Sequence, residues 1–299
     1  MVDLRSLEVF YWVVKLGGFG RAAERLHMTQ PAVSARISQI EARFGVRLLD
    51  RSTNRVPTPT PKGIEVFAHA ERMLALHAEL TASLSATAMQ SGIVRIGTAE
   101  TMVHTLLGRF IQRLHQAHPG ITPEVTIDIS PNLQTLLLGG EIDLALLLGP
   151  ITDPRVHNTP LGEQRLVWVA SPSLPLGDGP IALAALGRWP ILSYPRGTLP
   201  HAQLAALFCR PDLPAVRIFA SGSLSAIVRM AVDGIGIGVV PQAVAATELA
   251  AGRLRLLDVT RGLPSLRFTA SFLATPVAGL AALVAGVAGE VAAEIADSS

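Results

Sequence analysis

The sequence predicts an α/β protein: an N-terminal helix-turn-helix with a basic wing, then a long helix, then two similar strand–helix subdomains. Three observations lead there. Two short helical patterns meet at a tight turn between Phe19 and Phe44; one uninterrupted helical run follows the prolines at 57, 59 and 61; and from Ile93 onward strand and helix patterns alternate. That alternation argues a mainly parallel open sheet covered on both faces.

The first short helix is expected from about Gly20 to Leu26, with Ala22, Ala23 and Leu26 on one face and His27-Met28 as the turn. Thr29 is a good N-cap, and Pro31 falls in the first helical turn, where a missing N–H costs nothing. Val33, Ile37, Ile40 and Phe44 recur at spacings of 4, 3 and 4, one apolar stripe. Pro31, Ala35, Ser38 and Ala42 point the other way, flanked by Ser34, and this face carries no carboxylate. The second helix of such a pair enters a DNA major groove with its N-terminal residues on base edges. Gln30 can pair bidentately with adenine, and Ser34 can contact most bases.

An ordinary helical hairpin would share this spacing but not the charge. From Arg21 to Lys62 there are eight basic side chains (Arg21, Arg25, Arg36, Arg43, Arg47, Arg51, Arg55, Lys62) against three acidic ones (Glu24, Glu41, Asp50), while the whole chain nets only +2. Positive charge is therefore concentrated where phosphates would lie. Arg51 and Arg55 are placed to hold phosphates or the minor groove.

The prolines at 57–61 form a stiff connection. After Gly63 a helix is expected to about Gln90, with Val66, Ala70, Met73, His77, Leu80 and Leu84 as a coiled-coil-like seam. Such a stripe cannot bury itself, so it predicts pairing with a second copy. Beyond Ile93, strands are read in VRIGTAE, EVTIDIS, IDLALLLG, RLVWVAS, WPILSY, VRIFASG and IGVVP, with helices between them. The domain boundaries follow: residues 1–61, 62–90 and 91–299, with a first lobe of about 91–164 and 268–299 and a second of about 165–267.

Composition narrows the function classes. The single cysteine, Cys209, excludes an internal disulfide and suits a reducing cytoplasm. The N-terminus carries acids and no apolar core, so no secretory signal is expected. Residues 268–289 are uncharged, but Ala and Gly dominate them and Pro276 splits them into a strand and an Ala-rich helix; no membrane span is expected. The run Gly234 to Gly238 lacks dinucleotide-loop spacing, and His115 and His118 have no third ligand nearby. No catalytic set has a local signature, so neither an enzyme nor a metal or cofactor is expected.

The stretch LRSLEVFYWVVKLGGFGRAAERLHMTQPAVSARISQIEARFGVRLLDR, with TPTPKG after it, resembles the N-terminal domain of LysR-type transcriptional regulators. Gly-Gly-Phe, Ala-Ala-Glu-Arg-Leu, Gln-Pro-Ala-Val-Ser, Ile-Glu and Gly-Val-Arg-Leu carry the resemblance. Departures are Ala35, where the family often has arginine, with Arg36 following about 100° round the helix; Pro59-Thr60 for the wing's Leu-Thr; and Leu49 for an aromatic. The resemblance implies a winged helix-turn-helix whose DNA contacts are Thr29, Gln30, Pro31, Ser34, Ala35, Arg36, Arg51 and Arg55. It implies that the long helix dimerises, and that RIGTAE, GEIDLALLLGP and GIGIGVVP belong to a periplasmic-binding-protein-like pair of lobes holding an effector. Expected partners are a partly palindromic double-stranded operator, a small-molecule effector, further copies of the chain as homodimer or homotetramer, and RNA polymerase.

In open α/β sheets ligands bind beyond the carboxyl ends of the strands. Those positions are Thr98, Glu100, Thr101 and Met102 after the first strand; Tyr194, Arg196 and Thr198 in YPRGT; and Ser221 and Ser223 after VRIFA. Arg196 could clamp a carboxylate, which together with facing helix N-termini favours a small organic anion. Glu100 departs from that pattern: it would face solvent, pair with Arg196, or mark a ligand bearing an amine or hydroxyls. The competing reading is a small-molecule-binding oligomer that has lost specific DNA reading.

Overall fold

The computed structural model describes residues 3–50, 57–84, 91–177, 179–211, 213–274 and 279–297. Three helices build the N-terminal core. Helix α1 (Leu4–Leu16) starts at Asp3, whose carboxylate accepts the Ser6 N–H at 2.6 Å, and ends at Gly17, held at φ +63°. Its Val9, Phe10, Tyr11, Val13 and Leu16 pack with Ala22 and Ala23 of α2 (Phe19–Arg25) and with Val33, Ile37 and Ile40 of α3 (Gln30–Phe44). The turn between α2 and α3 passes through His27 at φ +52°. Thr29 caps α3, its hydroxyl accepting the Ala32 N–H at 3.4 Å. The expected stripe stops one residue early. Phe44 is 47% exposed, because Gly45 at φ +67° ends the helix and turns the chain away from the core.

Strands β1 (Leu49–Asp50) and β2 (Thr58–Pro59) pair antiparallel as the base of a wing. Glu41 fastens it to α3: one carboxylate oxygen accepts the N–H groups of Leu48 and Leu49 at 2.9 and 3.1 Å. Arg51 and Arg55 lie outside the described residues. Thr60 closes the wing, donating to the Arg47 carbonyl and accepting the Gly63 N–H at 3.0 Å as α4 (Pro61–Leu84) begins.

The single seam expected along α4 divides in two. Val66 and Ala70 turn toward α1 of the same chain, with Leu74 buried and Phe67 stacked on Tyr11 at 5.3 Å. Met73 (47% exposed) and Leu80 (56%) stay outside, and Leu76 (64%) rather than His77 lies between them at spacings of 3 and 4. Two apolar faces on one helix cannot be separated by a heptad count alone. The side chain of Leu84 lies outside the described residues.

The rest of the chain forms one mixed sheet in the order β4-β3-β5-β11-β6-β9-β7-β8. Strands β3 (Gly92–Thr98), β4 (Ile121–Ile127) and β5 (Leu144–Leu148) are mutually parallel, as are β7 (Ile191–Ser193), β8 (Ile218–Ala220) and β9 (Ile237–Pro241). The two longest strands break the expected parallel order. β6 (Val156–Ala170) and β11 (Ser265–Leu273) run antiparallel to each other and to their outer neighbours. β6 pairs β11 from Val156 to Arg165 and β9 from Leu166 to Val169, so one strand serves both halves of the sheet. The short β10 (Arg255–Leu256) also pairs β6.

Helices cover both halves. A helix running as α5 (Glu100–Met102), a π-helical stretch at Val103–Leu107 and α6 (Gly108–Ala117) links β3 to β4, and α7 (Ser130–Leu138) links β4 to β5. In the other half, α8 (Leu183–Leu186), α9 (Leu199–Phe208), α10 (Leu224–Val232) and α11 (Gln242–Ala250) do the same. The C-terminal helix α12 (Gly279–Asp297) is long and apolar enough to cross a membrane by length and composition. Its Val284, Ala285, Val287, Ala288 and Val291 are buried in the core of the first half, and Glu294 pairs Arg113 at 2.6 Å. A core position accounts for its composition.

Candidate functional site

Two separate places collect the residues singled out by sequence. The first is the outer face of α3. Thr29, Gln30, Pro31 and Ala35 are exposed and Ser34 is half-buried, so the N-terminal turn of α3 is free to meet a partner. Arg36 does not join them. It turns back toward α1, donating to the Ser6 hydroxyl at 3.3 Å and lying 3.6 Å from Asp3. Its position a quarter-turn from Ala35 puts it beside the cap of α1, which supplies a carboxylate.

The second place is a cavity of about 340 Å³ at the carboxyl ends of the parallel strands. Ala99, Glu100 and Thr101 follow β3; Asp128 and Ser130 follow β4; Leu148 ends β5; Tyr194 and Thr198 follow β7; Ser221 and Gly222 follow β8. Of the predicted ligand residues, Glu100, Thr101, Tyr194, Thr198 and Ser221 line it. Ser223 sits at its edge as the N-cap of α10. Three others lie elsewhere. Thr98 is wholly buried with its hydroxyl directed to the Ala99 carbonyl, because it is still part of β3. Met102 is 1% exposed and packs in the core, on the inner face of its helix. Arg196 is exposed and outside the lining, on the turn ahead of Gly197 at φ +82°.

Sequence reading missed the wall after β4, where Ile127, Asp128, Ser130 and Gln134 line the cavity, and it missed Phe268 of β11. Ile127, Asp128 and Ser130 follow from the same rule about strand ends applied to EVTIDIS, and Gln134 lies one turn further along α7. Phe268 carried no such signal.

Glu100 neither faces solvent nor pairs with Arg196. Its carboxylate crosses to α10, accepting the Leu224 N–H at 2.6 Å, the Ser225 N–H at 3.2 Å, and the Ser223 and Ser225 hydroxyls at 3.2 and 3.3 Å. His104, one turn along its own helix, lies 3.7 Å away. These are the orphan donors of a helix start, where negative charge is favoured. Asp128 accepts the Ile129 N–H at 2.7 Å and Asn132 at 3.0 Å. Among the described residues no lysine, arginine or histidine lines the cavity. Tyr194 adds a polar group without a partner: its hydroxyl is buried and makes no hydrogen bond among the described residues. Burial pushes the phenol up, and the Thr101 hydroxyl is near enough to oppose this without the geometry of a hydrogen bond.

The N-terminal helices also touch the other end of the sheet. Arg25 of α2 reaches Asp143, just before β5, at 2.6 Å, and Asp143 is gripped by Arg95 of β3 through its backbone N–H at 3.0 Å and its guanidinium at 3.2 Å. Trp12 lies under Arg25, 4.9 Å from ring centre to guanidinium. Burial pushes Arg25 down, opposed by the Asp143 charge; burial raises Asp143, but Arg95 and Arg25 together hold it below the usual carboxylate value.

Comparison with known proteins covers both places. Residues 4–64 match the family described as bacterial regulatory helix-turn-helix protein, lysR family, and residues 87–277 match the LysR substrate binding domain. The chain is 32% identical over 285 residues to the SDS degradation transcriptional activation protein of a Pseudomonas species, spanning 89% of this chain and 88% of that protein. It is 29% identical over 255 residues to the HTH-type transcriptional regulator BbuR of Bordetella bronchiseptica, spanning 85% and 78%. Among solved structures, a variant of full-length OxyR from Pseudomonas aeruginosa superposes with a TM-score of 0.68 at 20% identity, over 98% of this chain and 95% of that one. Full-length LysG from Corynebacterium glutamicum with its effector Arg bound gives 0.64 at 21% identity, over 98% of each. At such identity these structures speak for the fold.

Proposed function

The chain belongs to the LysR family of bacterial helix-turn-helix transcriptional regulators, and we propose that it reads a specific operator with α3 under the control of a small molecule held in the cavity. What carries the DNA reading is the exposed, carboxylate-free N-terminal turn of α3 beside a basic wing. Gln30 and Ser34 contact base edges, Thr29, Pro31 and Ala35 line the approach, and Arg51 and Arg55 hold phosphates or the minor groove. Arg36 supports α3 from behind through Asp3 and Ser6.

Two copies pair along the exposed Met73, Leu76 and Leu80 of α4, as a homodimer or within a homotetramer. Two α3 helices then straddle a partly palindromic site with half-sites about one helical turn apart. The protein acts in the cytoplasm, and as an activator it would touch RNA polymerase. An effector alters DNA geometry only by binding the competing assemblies unequally, with a coupling of about 1–3 kcal/mol.

The organic anion expected from sequence rested on Arg196 and on facing helix N-termini. Arg196 is exposed outside the cavity, and Glu100 already occupies the start of α10. Those two observations weigh the reading toward a small molecule of another charge class.

The DNA reading is tested by anisotropy on operator and random duplexes at several salt concentrations. Gln30→Ala and Ser34→Ala should each lose about 1–3 kcal/mol on the operator alone. Arg51→Ala should weaken binding to both duplexes and flatten the salt slope by about one. Equal losses by all three variants on both duplexes would overturn this division of labour.

A further inference from the structure

Glu100 does what a bound carboxylate would do. Its two oxygens take the N–H groups of Leu224 and Ser225 and the hydroxyls of Ser223 and Ser225, four donors at the start of a nine-residue helix. The carboxylate comes from the opposite side of the cleft, from the helix that follows β3, and its side chain is only 18% exposed. The π-helical stretch begins three residues after it, the kind of irregularity that often marks a functional position. The remaining wall offers an anion no countercharge. Among the described residues its charged groups are Glu100 and Asp128, both acids, and Asp128 lines it directly. The surface is otherwise mostly apolar, with Ile127, Leu148, Leu199 and Phe268 in it.

We propose that Glu100 is the specificity-determining residue of the cleft: by filling the start of α10 from within, it reserves the cavity for a non-anionic ligand with an apolar body and one hydroxyl or amine, and excludes carboxylates. The inference rests on the reading of this cavity as the effector site. Two physical effects act in the same direction. A ligand carboxylate finds the favourable N–H groups taken, and it meets two like charges within a partly enclosed space. A hydroxyl or ammonium meets neither obstacle, and either can donate to the Asp128 carboxylate in the cavity wall.

The test uses three probes on one frame: cyclohexylmethanol, cyclohexylmethylamine and cyclohexanecarboxylate. Each is titrated calorimetrically into the full chain, into Glu100→Ala and into Glu100→Gln. The wild type should bind the alcohol or the amine and discriminate against the carboxylate. Glu100→Ala should shift that preference toward the carboxylate by at least about ten-fold, because the α10 donors become free. Should Glu100→Ala fail to fold, Glu100→Gln carries the test, since it keeps the side-chain volume and removes the charge. A wild type that takes the carboxylate as tightly as the variants overturns the inference and leaves the effector site standing. A variant with a lower melting temperature and unchanged preference also overturns it, reducing Glu100 to a structural tie. Failure of every probe in all three proteins overturns the effector-site reading itself, and the inference with it.

Discussion

Asp143 joins the DNA-reading helices to the rest of the molecule, and neutralising it tests that connection. Its side chain is 11% exposed; it lies 2.6 Å from the Arg25 guanidinium as an ion pair and accepts from three Arg95 donors at 3.0 to 3.2 Å. Removing one partner of a buried ion pair costs about 3–5 kcal/mol when both ends are fully buried. Here Arg25 and Arg95 keep 26% and 23% of their side chains in water, and Arg95 also holds the Gly140 carbonyl at 3.1 Å. Asp143→Asn should therefore cost less, about 2–3 kcal/mol. A double-mutant cycle with Arg25→Ala, read by urea unfolding, isolates the contact between the two domains. It should return a coupling of about 1.5–3 kcal/mol, the lower part of the range for close charge pairs shielded from water. A coupling below about 0.5 kcal/mol, the worth of an exposed pair, would refute the reasoning. Acid supplies a second check. The Asp143 carboxyl is held below its unfolded value, so the stability it contributes is fully present above that value, 3.8, and is lost as pH falls through the folded one. The gap between wild type and Asp143→Asn should thus be flat from neutral pH to about 5 and shrink below 4.

Two further outcomes follow from packing. A Cβ at Gly63 would sit 2.1 Å from the Leu48 carbonyl, backbone that cannot give, so Gly63→Ala should lower stability by about 2 kcal/mol or more; an unchanged melting temperature would contradict it. Leu80→Glu places a charge on the exposed stripe of α4 and should shift the sedimentation distribution toward monomer while the circular dichroism spectrum stays unchanged; an unaltered distribution would move the interface off this face.

How much was legible in the sequence depended on the range of the interaction. The helix pair could be read because its cap, its turn and its apolar spacing lie within a few residues of one another, from Thr29 to Ile40. The glycine of TPTPKG is explained by contact with the Leu48 carbonyl, which closes the wing against α4. β6 was half seen. Its LVWVA end is largely buried and reads as a strand, but from Val156 to Gln164 exposed and half-buried residues mix irregularly and only Leu161 is buried, so no alternation announced it. That hidden half is what carries the antiparallel centre of the sheet. Along α4 both apolar faces were written in one helix, and only packing on the N-terminal core, by Val66, Phe67 and Leu74, separates the inner from the outer. In the cavity, strand ends pointed to Thr101, Tyr194 and Ser221, which the fold brings into one lining, but the partners of Glu100 lie 123 to 125 residues away. No local pattern encodes such a contact.

The central claim is that α3 reads a particular DNA sequence. Footprinting of the purified full chain on the DNA upstream of its own gene, at physiological salt, tests it most directly. The account predicts two protected sites on one face of the duplex, about one helical turn apart, with binding at least about a thousand-fold tighter than to random DNA. Binding no tighter than to random DNA, there and on genomic fragments selected by the protein itself with and without cell metabolites, would contradict it.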